Sequence, residues 1–186
     1  KAMNARVKQF AKNQFPYAKS DLFSCFIARN LALAKPLGRL GFMSPQVWMF
    51  LSSYEKLRAH LFDQATITTL VQPEYNAFWD SAHVTICSYV MMNARVTEYS
   101  AAFIRLTDFY GAELQPQKTL EAINNPDCGW FYRAKPDDFK KIPGSPVAYW
   151  VSPRVIEAFA LFEPLSELVD TRIGLITGDN ERYIRN

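Results

Sequence analysis

The stretch between residues 83 and 92 places the strongest constraint on how this chain can fold. Its apolar side chains lie on both sides of a strand-like alternation: Val84, Ile86 and Val90 on one, Cys87, Tyr89 and Met91 on the other. An extended segment with two apolar faces needs cover on both, which is typical of a strand in the middle of a sheet. The chain is therefore predicted to build a layered sheet around this strand.

A helical spacing of apolar residues precedes this strand. The apolar positions recur every three or four residues and stop before Pro36: Leu22, Phe23, Phe26, Ile27, Leu31 and Ala34. Ser20 is the expected N-cap of this helix. A short buried strand is predicted over 38–44, and Ser44-Pro45 is predicted to open a second helical stretch with proline at its first position.

Three further elements are expected before residue 107. Ser52 and Glu55 have the spacing of a capping box, which predicts that a helix begins there. Residues 66–71 are rich in β-branched side chains and predict a strand. Residues 97–106 are predicted to pair with the strand at 83–92 as a hairpin.

The alternation of helices with short apolar strands indicates a layered α/β sheet. After about residue 108 the chain changes character, because prolines interrupt short elements: Pro116, Pro126, Pro136, Pro143, Pro146, Pro153 and Pro164. The chain is predicted to divide between residues 108 and 135, with one unit over 1–120 and a less regular one over 121–186.

Composition and spacing exclude several classes of protein. The 186 residues are 49% hydrophobic, which suits a packed core, and no apolar run approaches the length of a membrane span. Cys25, Cys87 and Cys128 form no CxxC pair and are expected as small core residues in a reducing cytoplasm. His60 and His83 have no Cys or His nearby at ligand spacing, so no metal site is expected.

Motifs for ordinary catalysis are missing from the sequence. Neither GxGxxG nor GxSxG occurs, and the glycines at 174 and 178 lack the Lys-Ser or Lys-Thr of a phosphate-binding loop. The first twenty residues contain basic side chains and no acid: Lys1, Arg6, Lys8, Lys12 and Lys19. Such a segment suits either contact with phosphates or a solvated arm with a short helix near Val7 and Phe10. On the residues alone, this is an α/β domain of unknown function.

Six stretches, in order along nearly the whole chain, resemble one protein family. SDLFSCFIAR (20–29) resembles the helix after that family's catalytic loop, GRLGFMSP (38–45) the next strand, and VWMFLSSYEKLR (47–58) the segment that follows. Residues 78–90 resemble the loop and strand near the target base. IPGSPVAYW (142–150) and GLITGDN (174–180) resemble the start of the target-recognition region. The family is the adenine-specific DNA methyltransferases of phage defence, in particular the PglX-like enzymes of BREX systems.

The resemblance implies a partial three-layer, Rossmann-like methyltransferase sheet over 1–120, followed by a linker and the start of a target-recognition domain over 121–186. The parent enzyme would use S-adenosylmethionine to methylate N6 of adenine in double-stranded DNA, in the cytoplasm and away from membranes. The family's glycine-rich cofactor turn and Asn-Pro-Pro-Tyr catalytic loop do not occur in these residues. Because residues 1–4 resemble those that follow the loop, the chain is expected to be inactive alone.

Partners also follow from the resemblance. They are double-stranded DNA, an N-terminal methyltransferase half and, as further candidates, other defence-system proteins. A half sheet would expose an unpaired edge and apolar surface. Two other functions remain open: a non-catalytic DNA-binding module, and a protein-interaction piece whose exposed sheet pairs with another chain.

The resemblance further implies site residues. An aromatic residue before the strand at 83–92 packs on the flipped adenine in the family, and Phe78, with Trp79 second, matches it; a core aromatic under a loop is the alternative. Asp21, Leu22 and Phe23 match residues behind the cofactor pocket, although helix core and, for Asp21, the helix dipole also explain them.

Candidate DNA contacts come from both ends of the chain. They are the basic residues Lys8, Lys12 and Lys19, and the segment Thr177, Gly178, Asp179 and Asn180. Gly-Asp-Asn sequences most simply form turns, so that segment is expected to be a turn in either case.

Overall fold

The computed structural model describes residues 3–75 and 85–170. Its strands are β1 (Arg39–Pro45), β2 (Thr66–Gln72), β3 (Ile86–Met92), β4 (Ala101–Arg105) and β5 (Phe131–Ala134). Its helices are α1 (Ala5–Gln14), α2 (Leu22–Leu33), α3 (Glu55–Gln64), α4 (Leu114–Asn124), α5 (Pro136–Phe139), α6 (Pro153–Leu161) and α7 (Leu165–Leu168), with short 3-10 helices at Gln46–Met49 and Ser52–Tyr54. The described strands form one sheet in the order β1-β3-β2-β4-β5. None of the described helices is long and apolar enough to cross a bilayer.

The strand β3 lies inside the sheet, as its two apolar faces predict. It is antiparallel to β1 on one side and to β2 on the other, and Met91 pairs with Leu40 and with Ile67. Cys87, Tyr89 and Met91 are buried, and the side chains between them are half-buried. The predicted mid-sheet position is confirmed for residues 86–92, and positions 83 and 84 lie outside the described residues.

The strand β1 lies at one edge of the described sheet. It pairs with β3, and its exposure alternates, so that Ser44 is buried while Met43 is 63% exposed. The predicted strand is therefore confirmed at Arg39–Pro45, but its predicted burial was wrong, because every second side chain of β1 is exposed and β1 has a neighbouring strand on one side only within the described residues. Its outer edge offers backbone groups to a further strand, which agrees with the expected exposed edge.

The predicted hairpin between the central strand and residues 97–106 was also wrong. β4 pairs parallel to β2, with Phe103 beside Leu70, and antiparallel to β5. Both sides of β3 are already occupied by β1 and β2, so no edge remains for β4. The turn after β3 returns instead to the start of β1, because the backbone N–H of Asn93 donates to the carbonyl oxygen of Gly38.

The helix α2 begins one residue later than predicted. Its N-cap is Asp21, whose carboxylate accepts from the backbone, and Ser24 completes a capping box. Ser20, the predicted N-cap, instead donates its hydroxyl to the carbonyl oxygen of Ser53 at 2.8 Å. This hydrogen bond joins the N-terminal end of α2 to the segment that precedes α3.

The helical stretch after β1 is shorter than predicted. Pro45 ends β1 and is the N-cap of the 3-10 helix that follows, rather than the first residue of an α-helix. Residues Ser52–Tyr54 form a second 3-10 turn, and α3 follows it as expected. The predicted capping box of Ser52 and Glu55 was wrong, because the backbone N–H of Glu55 donates to the carbonyl of Ser52 within that tight turn.

Most buried side chains belong to one core around the sheet. Phe139, Val147 and Tyr149 pack in the same core as Trp48 and Leu57. Residues 131–149 therefore add a strand and core side chains to the sheet. The division into 1–120 and 121–186 stays a prediction.

Candidate functional site

Three strands of the sheet run in the same direction and end at one edge. β1 and β2 are both antiparallel to β3, and β4 is parallel to β2. Their carboxyl ends, Pro45, Gln72 and Arg105, therefore share an edge, called here the carboxyl edge. Ligands of open α/β sheets bind outside this kind of edge. The residues gathered at the carboxyl edge therefore form the candidate site.

A chain of three polar side chains crosses the carboxyl edge. The hydroxyl of Tyr149 donates to Oε1 of Gln72 at 2.6 Å, and Nε2 of Gln72 donates to Oε1 of Gln46 at 2.9 Å. Tyr149 and Gln72 are 4% and 6% exposed, and Gln46 is half-buried. We call this hydrogen-bonded series the Gln46–Gln72–Tyr149 relay. It links the ends of two strands to a residue that follows them by more than seventy positions.

Aromatic packing holds Tyr149 in place. Its ring stacks on Phe103 with centroids 4.6 Å apart, and Tyr132 meets it edge-on at 5.6 Å. Burial raises the pKa of the Tyr149 hydroxyl well above its ordinary value. The hydroxyl therefore stays protonated and acts as a hydrogen-bond donor to Gln72.

The segment before Tyr149 is held by the buried side chain of Arg58. Its Nε and one terminal nitrogen donate to the carbonyl of Gly144 at 2.9 and 2.6 Å. Its other terminal nitrogen donates to the carbonyls of Trp48 and Leu51, both at 2.8 Å. Burial lowers the pKa of Arg58, and the nearby charge of Glu55 raises it. An arginine with this many carbonyl partners stays charged, and its hydrogen bonds hold the segments of Gly144, Trp48 and Leu51 together.

An aromatic and cationic group borders the relay. Trp150 is 37% exposed, its ring lies edge-on to Phe50 at 5.7 Å, and the Arg105 guanidinium lies 5.3 Å from its centroid. This Phe50–Trp150–Arg105 group presents aromatic surface to solvent beside a guanidinium that also lies 3.8 Å from the carboxylate of Asp108. Such surfaces suit stacking on bases and contact with phosphate.

The loop that leaves β2 is held at both described ends. On one side, the backbone N–H of Glu74 donates to Oε1 of Gln115 at 3.2 Å. On the other, the carbonyl of Thr85 accepts from the backbone N–H of Gln46 at 2.9 Å. Phe78 and Trp79, the predicted base-stacking residues, lie between these ends and outside the described residues. The described residues on either side of this segment, Glu74 and Thr85, lie at the carboxyl edge.

The residues predicted to support a cofactor pocket separate onto two faces. Asp21 is an exposed N-cap, and Leu22 lines an open groove of about 330 Å³ with Phe10 and Phe26. Phe23 points elsewhere and packs on Tyr54 with centroids 5.4 Å apart. The structure thus does not bring the three together into one pocket wall. Their cofactor role stays a prediction.

The predicted DNA contacts are only partly described. Lys8 and Lys12 lie exposed on α1, and Lys19 lies exposed before α2, where it lines a polar depression with Lys56. Residues 177–180 lie outside the described residues. Cys25 and Cys87 are buried free thiols, and His60 stacks on Tyr17 at 3.9 Å. The core prediction is thus confirmed for Cys25 and Cys87, whereas Cys128 is half-buried beside a smaller apolar cluster, and the stacked His60 agrees with a structural role.

Sequence reasoning missed Gln46, Gln72 and Arg58. Their residue types are ordinary, and their importance comes from contacts across many positions of the chain. A weak signal was available for Arg58 and Tyr149, which lie inside the quoted stretches VWMFLSSYEKLR and IPGSPVAYW.

Comparison with known proteins identifies the family. The model of the Eco57I restriction-modification methylase family matches residues 1–78. The chain is 38% identical, over 161 residues and 86% of its length, to the adenine-specific methyltransferase BrxX of Escherichia coli O9:H4 (strain HS). It is 30% identical, over 99% of its length, to the adenine-specific methyltransferase PglX of Lacticaseibacillus casei (strain Zhang). The chain belongs to this family of adenine-specific methyltransferases.

Membership of this family confirms the resemblance stated from the sequence. The chain spans 13% of the length of BrxX and 16% of the length of PglX. Solved structures agree on the fold. The type I restriction-modification methyltransferase subunit from Streptococcus thermophilus superimposes with a TM-score of 0.55 at 13% identity, over 75% of this chain and 33% of that one. The DrdV–DNA complex also gives 0.55 at 15% identity, over 83% of this chain and 16% of that one. The predicted α/β methyltransferase sheet is thereby confirmed.

Proposed function

We propose that this chain is part of an S-adenosylmethionine-dependent enzyme that methylates N6 of adenine in double-stranded DNA, within restriction or phage defence. The observation that supports this most is the similarity to two adenine-specific methyltransferases over at least 86% of the chain. The sheet, similar to that of a methyltransferase subunit, supports the same chemistry class. A DNA-modifying enzyme of this kind would work in the cytoplasm.

The chemistry divides between this chain and residues outside it. The 186 residues contain neither a glycine-rich cofactor turn nor Asn-Pro-Pro-Tyr. We infer that these features come from an N-terminal methyltransferase half, which would bind S-adenosylmethionine and hold the amino group of the adenine. Adenine N6 is a weak nucleophile, so holding it against the methyl donor is the main task of the site. The outer edge of β1 and the groove of Phe10, Leu22 and Phe26 are surfaces on which that half could pack.

This chain would supply the other side of the target-base pocket. A base must leave the duplex to be methylated, and its exposed rings then need stacking partners. The described residues on either side of 76–84, Glu74 and Thr85, lie at the carboxyl edge, which supports Phe78 as the stacking residue. The Phe50–Trp150–Arg105 group lies at the same edge and would contact the DNA around the extruded base.

The direct test is methyl transfer by the intact enzyme. The gene that encodes this chain is expressed with its upstream sequence, or together with a partner chain that contains Asn-Pro-Pro-Tyr. Transfer of radiolabelled methyl groups to duplex DNA is measured, and the product is identified as N6-methyladenine by mass spectrometry. The same preparation with the asparagine of that motif replaced is the control. An intact, folded preparation that methylates no adenine would refute the proposed function.

A further inference from the structure

A polar depression of about 430 Å³ lies between the segment before α2 and the start of α3. Lys19 and Ser20 line it from the first segment, and Ser52, Ser53 and Lys56 line it from the second. The hydroxyl of Ser20 donates to the carbonyl of Ser53 at 2.8 Å and so holds the two segments together. Because Ser52 and Ser53 lie between the carboxyl end of β1 and α3, the depression borders the carboxyl edge. We call it the Lys19–Lys56 depression.

The two lysines give this depression an excess of positive charge. Both are exposed, and neither forms an ion pair with a residue that the structure describes. Among the described residues, the acid that lines the depression is Glu55. Burial lowers the pKa of the Arg58 guanidinium and the charge of Glu55 raises it, so this carboxylate interacts with a buried cation. The negative charge of Glu55 is thus offset by Arg58 rather than by either lysine.

A second depression continues the first one along the carboxyl edge. Ser52 and Glu55 line both depressions, and the second extends from them to Phe50. The ring of Phe50 lies edge-on to Trp150, and the Trp150 ring lies 5.3 Å from the guanidinium of Arg105. Two lysines, two aromatic rings and an arginine therefore follow one another along one edge. A DNA strand is complementary to this order, because its phosphates bind cations and its bases stack on aromatic rings.

We propose that a backbone phosphate of the DNA duplex binds in the Lys19–Lys56 depression, and that the same strand continues to the Phe50–Trp150–Arg105 group. The inference rests on the proposed function, because it needs DNA at the carboxyl edge. The two ammonium groups neutralise the phosphate, and the hydroxyls of Ser52 and Ser53 are further hydrogen-bond donors in the same depression. A phosphate contact fixes the position of a duplex without reading its sequence. Lys19 and Lys56 therefore set where the target adenine meets the site.

The first test measures binding of the intact methyltransferase to duplex DNA over a series of salt concentrations. The double variant Lys19→Gln, Lys56→Gln loses one phosphate contact, so the slope of log Kd against log salt concentration should fall by about 0.9. At about 0.1 M salt its Kd should rise roughly 2- to 30-fold, equally for duplexes with and without the target sequence. Lys35→Gln is the matched control, because Lys35 is exposed and precedes the opposite end of β1, so neither value should change. A double variant with the slope of the wild type overturns the inference.

Duplexes with a single neutral methylphosphonate linkage locate the contact. One linkage position should weaken binding by the wild type, and at that position the double variant should show no further loss. Additive losses at every position would place the lysines away from a DNA phosphate and overturn the inference. A double variant that loses affinity for S-adenosylmethionine, with its affinity for DNA unchanged, would assign the depression to the cofactor and overturn the inference as well. Both results leave the proposed function standing if the wild type methylates adenine, whereas a wild type that methylates no adenine overturns the proposed function and this inference with it.

Discussion

The guanidinium of Arg58 donates two hydrogen bonds to the carbonyl oxygen of Gly144, 86 positions further along the chain. The same side chain binds the carbonyls of Trp48 and Leu51, so it joins α3, the segment after β1 and the turn before Tyr149. Gly144 adopts a φ of 76° and Ser145 a φ of 50°, a left-handed turn that presents the Gly144 carbonyl to the arginine. This contact sets the position from which Tyr149 reaches Gln72.

We expect Arg58→Met to destabilise the folded chain strongly. Methionine fills part of the volume but leaves three carbonyl groups without their donor, of which that of Trp48 is buried and those of Leu51 and Gly144 are partly buried. Leaving a buried polar group unsatisfied costs roughly 1–3 kcal/mol, so a loss of at least about 2 kcal/mol is expected. Urea titration followed by circular dichroism measures the free energy of unfolding.

The matched control for that variant is Arg95→Met. Arg95 forms an exposed ion pair with Asp137 at 3.1 Å, and exposed pairs contribute about 0–1 kcal/mol. If the two variants lose the same free energy of unfolding, the hydrogen bonds of Arg58 do not stabilise the fold more than an exposed ion pair does.

The stability of the chain should fall at alkaline pH because of Cys87. Burial raises the pKa of this thiol from 9.0 to about 12. The unfolded chain then releases the proton above about pH 9, while the folded chain keeps it, so unfolding becomes more favourable as the pH rises towards 12. Burial also raises the pKa of the Cys25 thiol, so urea midpoints measured between pH 8 and about 9.5 contain contributions from both cysteines, and a variant is needed to separate them.

Cys87→Ala provides the comparison for the pH dependence. Alanine leaves a small cavity and lowers the overall stability, but it removes the titrating group. Its midpoint should therefore decline less between pH 8 and about 9.5 than that of the wild type. Parallel curves for the two proteins would mean that another group controls the alkaline loss.

We expect the isolated 186-residue chain not to bind S-adenosylmethionine measurably. The reason is that the sequence contains neither the glycine-rich cofactor turn nor the Asn-Pro-Pro-Tyr catalytic loop that the family resemblance implies for the parent enzyme. Isothermal titration calorimetry on the folded chain, with the intact enzyme as positive control, measures this directly. A dissociation constant in the low micromolar range for the chain alone would show that the cofactor does not need the N-terminal methyltransferase half for binding.

Phe78→Ala in the intact enzyme should slow methylation while leaving cofactor binding nearly unchanged. Loss of one base-stacking contact costs about 1–3 kcal/mol, or about five- to a hundredfold in rate if it is felt fully in the transition state. Fluorescence of 2-aminopurine at the target position should also change, because its stacking partner is gone.

Trp79→Ala is the control for the stacking assignment, since we expect that side chain to serve packing. A Phe78→Ala enzyme that unfolds, beside a Trp79→Ala enzyme that cannot extrude the base, would reverse the two roles. If neither folded variant changes the fluorescence or the rate, stacking by this loop is ruled out.

The family could be inferred from sequence because its motifs are local strings that need no coordinates. Strands and helices were also predictable where the pattern was long, as in α2 and β3, since burial on a face imposes a period on the sequence. The positions of Phe78 and Trp79 in the base pocket still depend on the resemblance, because their loop lies outside the described residues.

Sequence by itself determined that residues 86–92 form an interior strand, because a strand with two apolar faces is stable only when covered on both. It could not determine which strands are its neighbours, and the expected hairpin with β4 failed because β1 and β2 occupy both sides of β3. Likewise, only tertiary structure decided that Gln46, Gln72 and Tyr149 form one hydrogen-bonded series. Polar side chains have no sequence period that reveals their partners. Polar side chains acquire their structural role only when the fold brings distant residues within hydrogen-bond distance and excludes water around them.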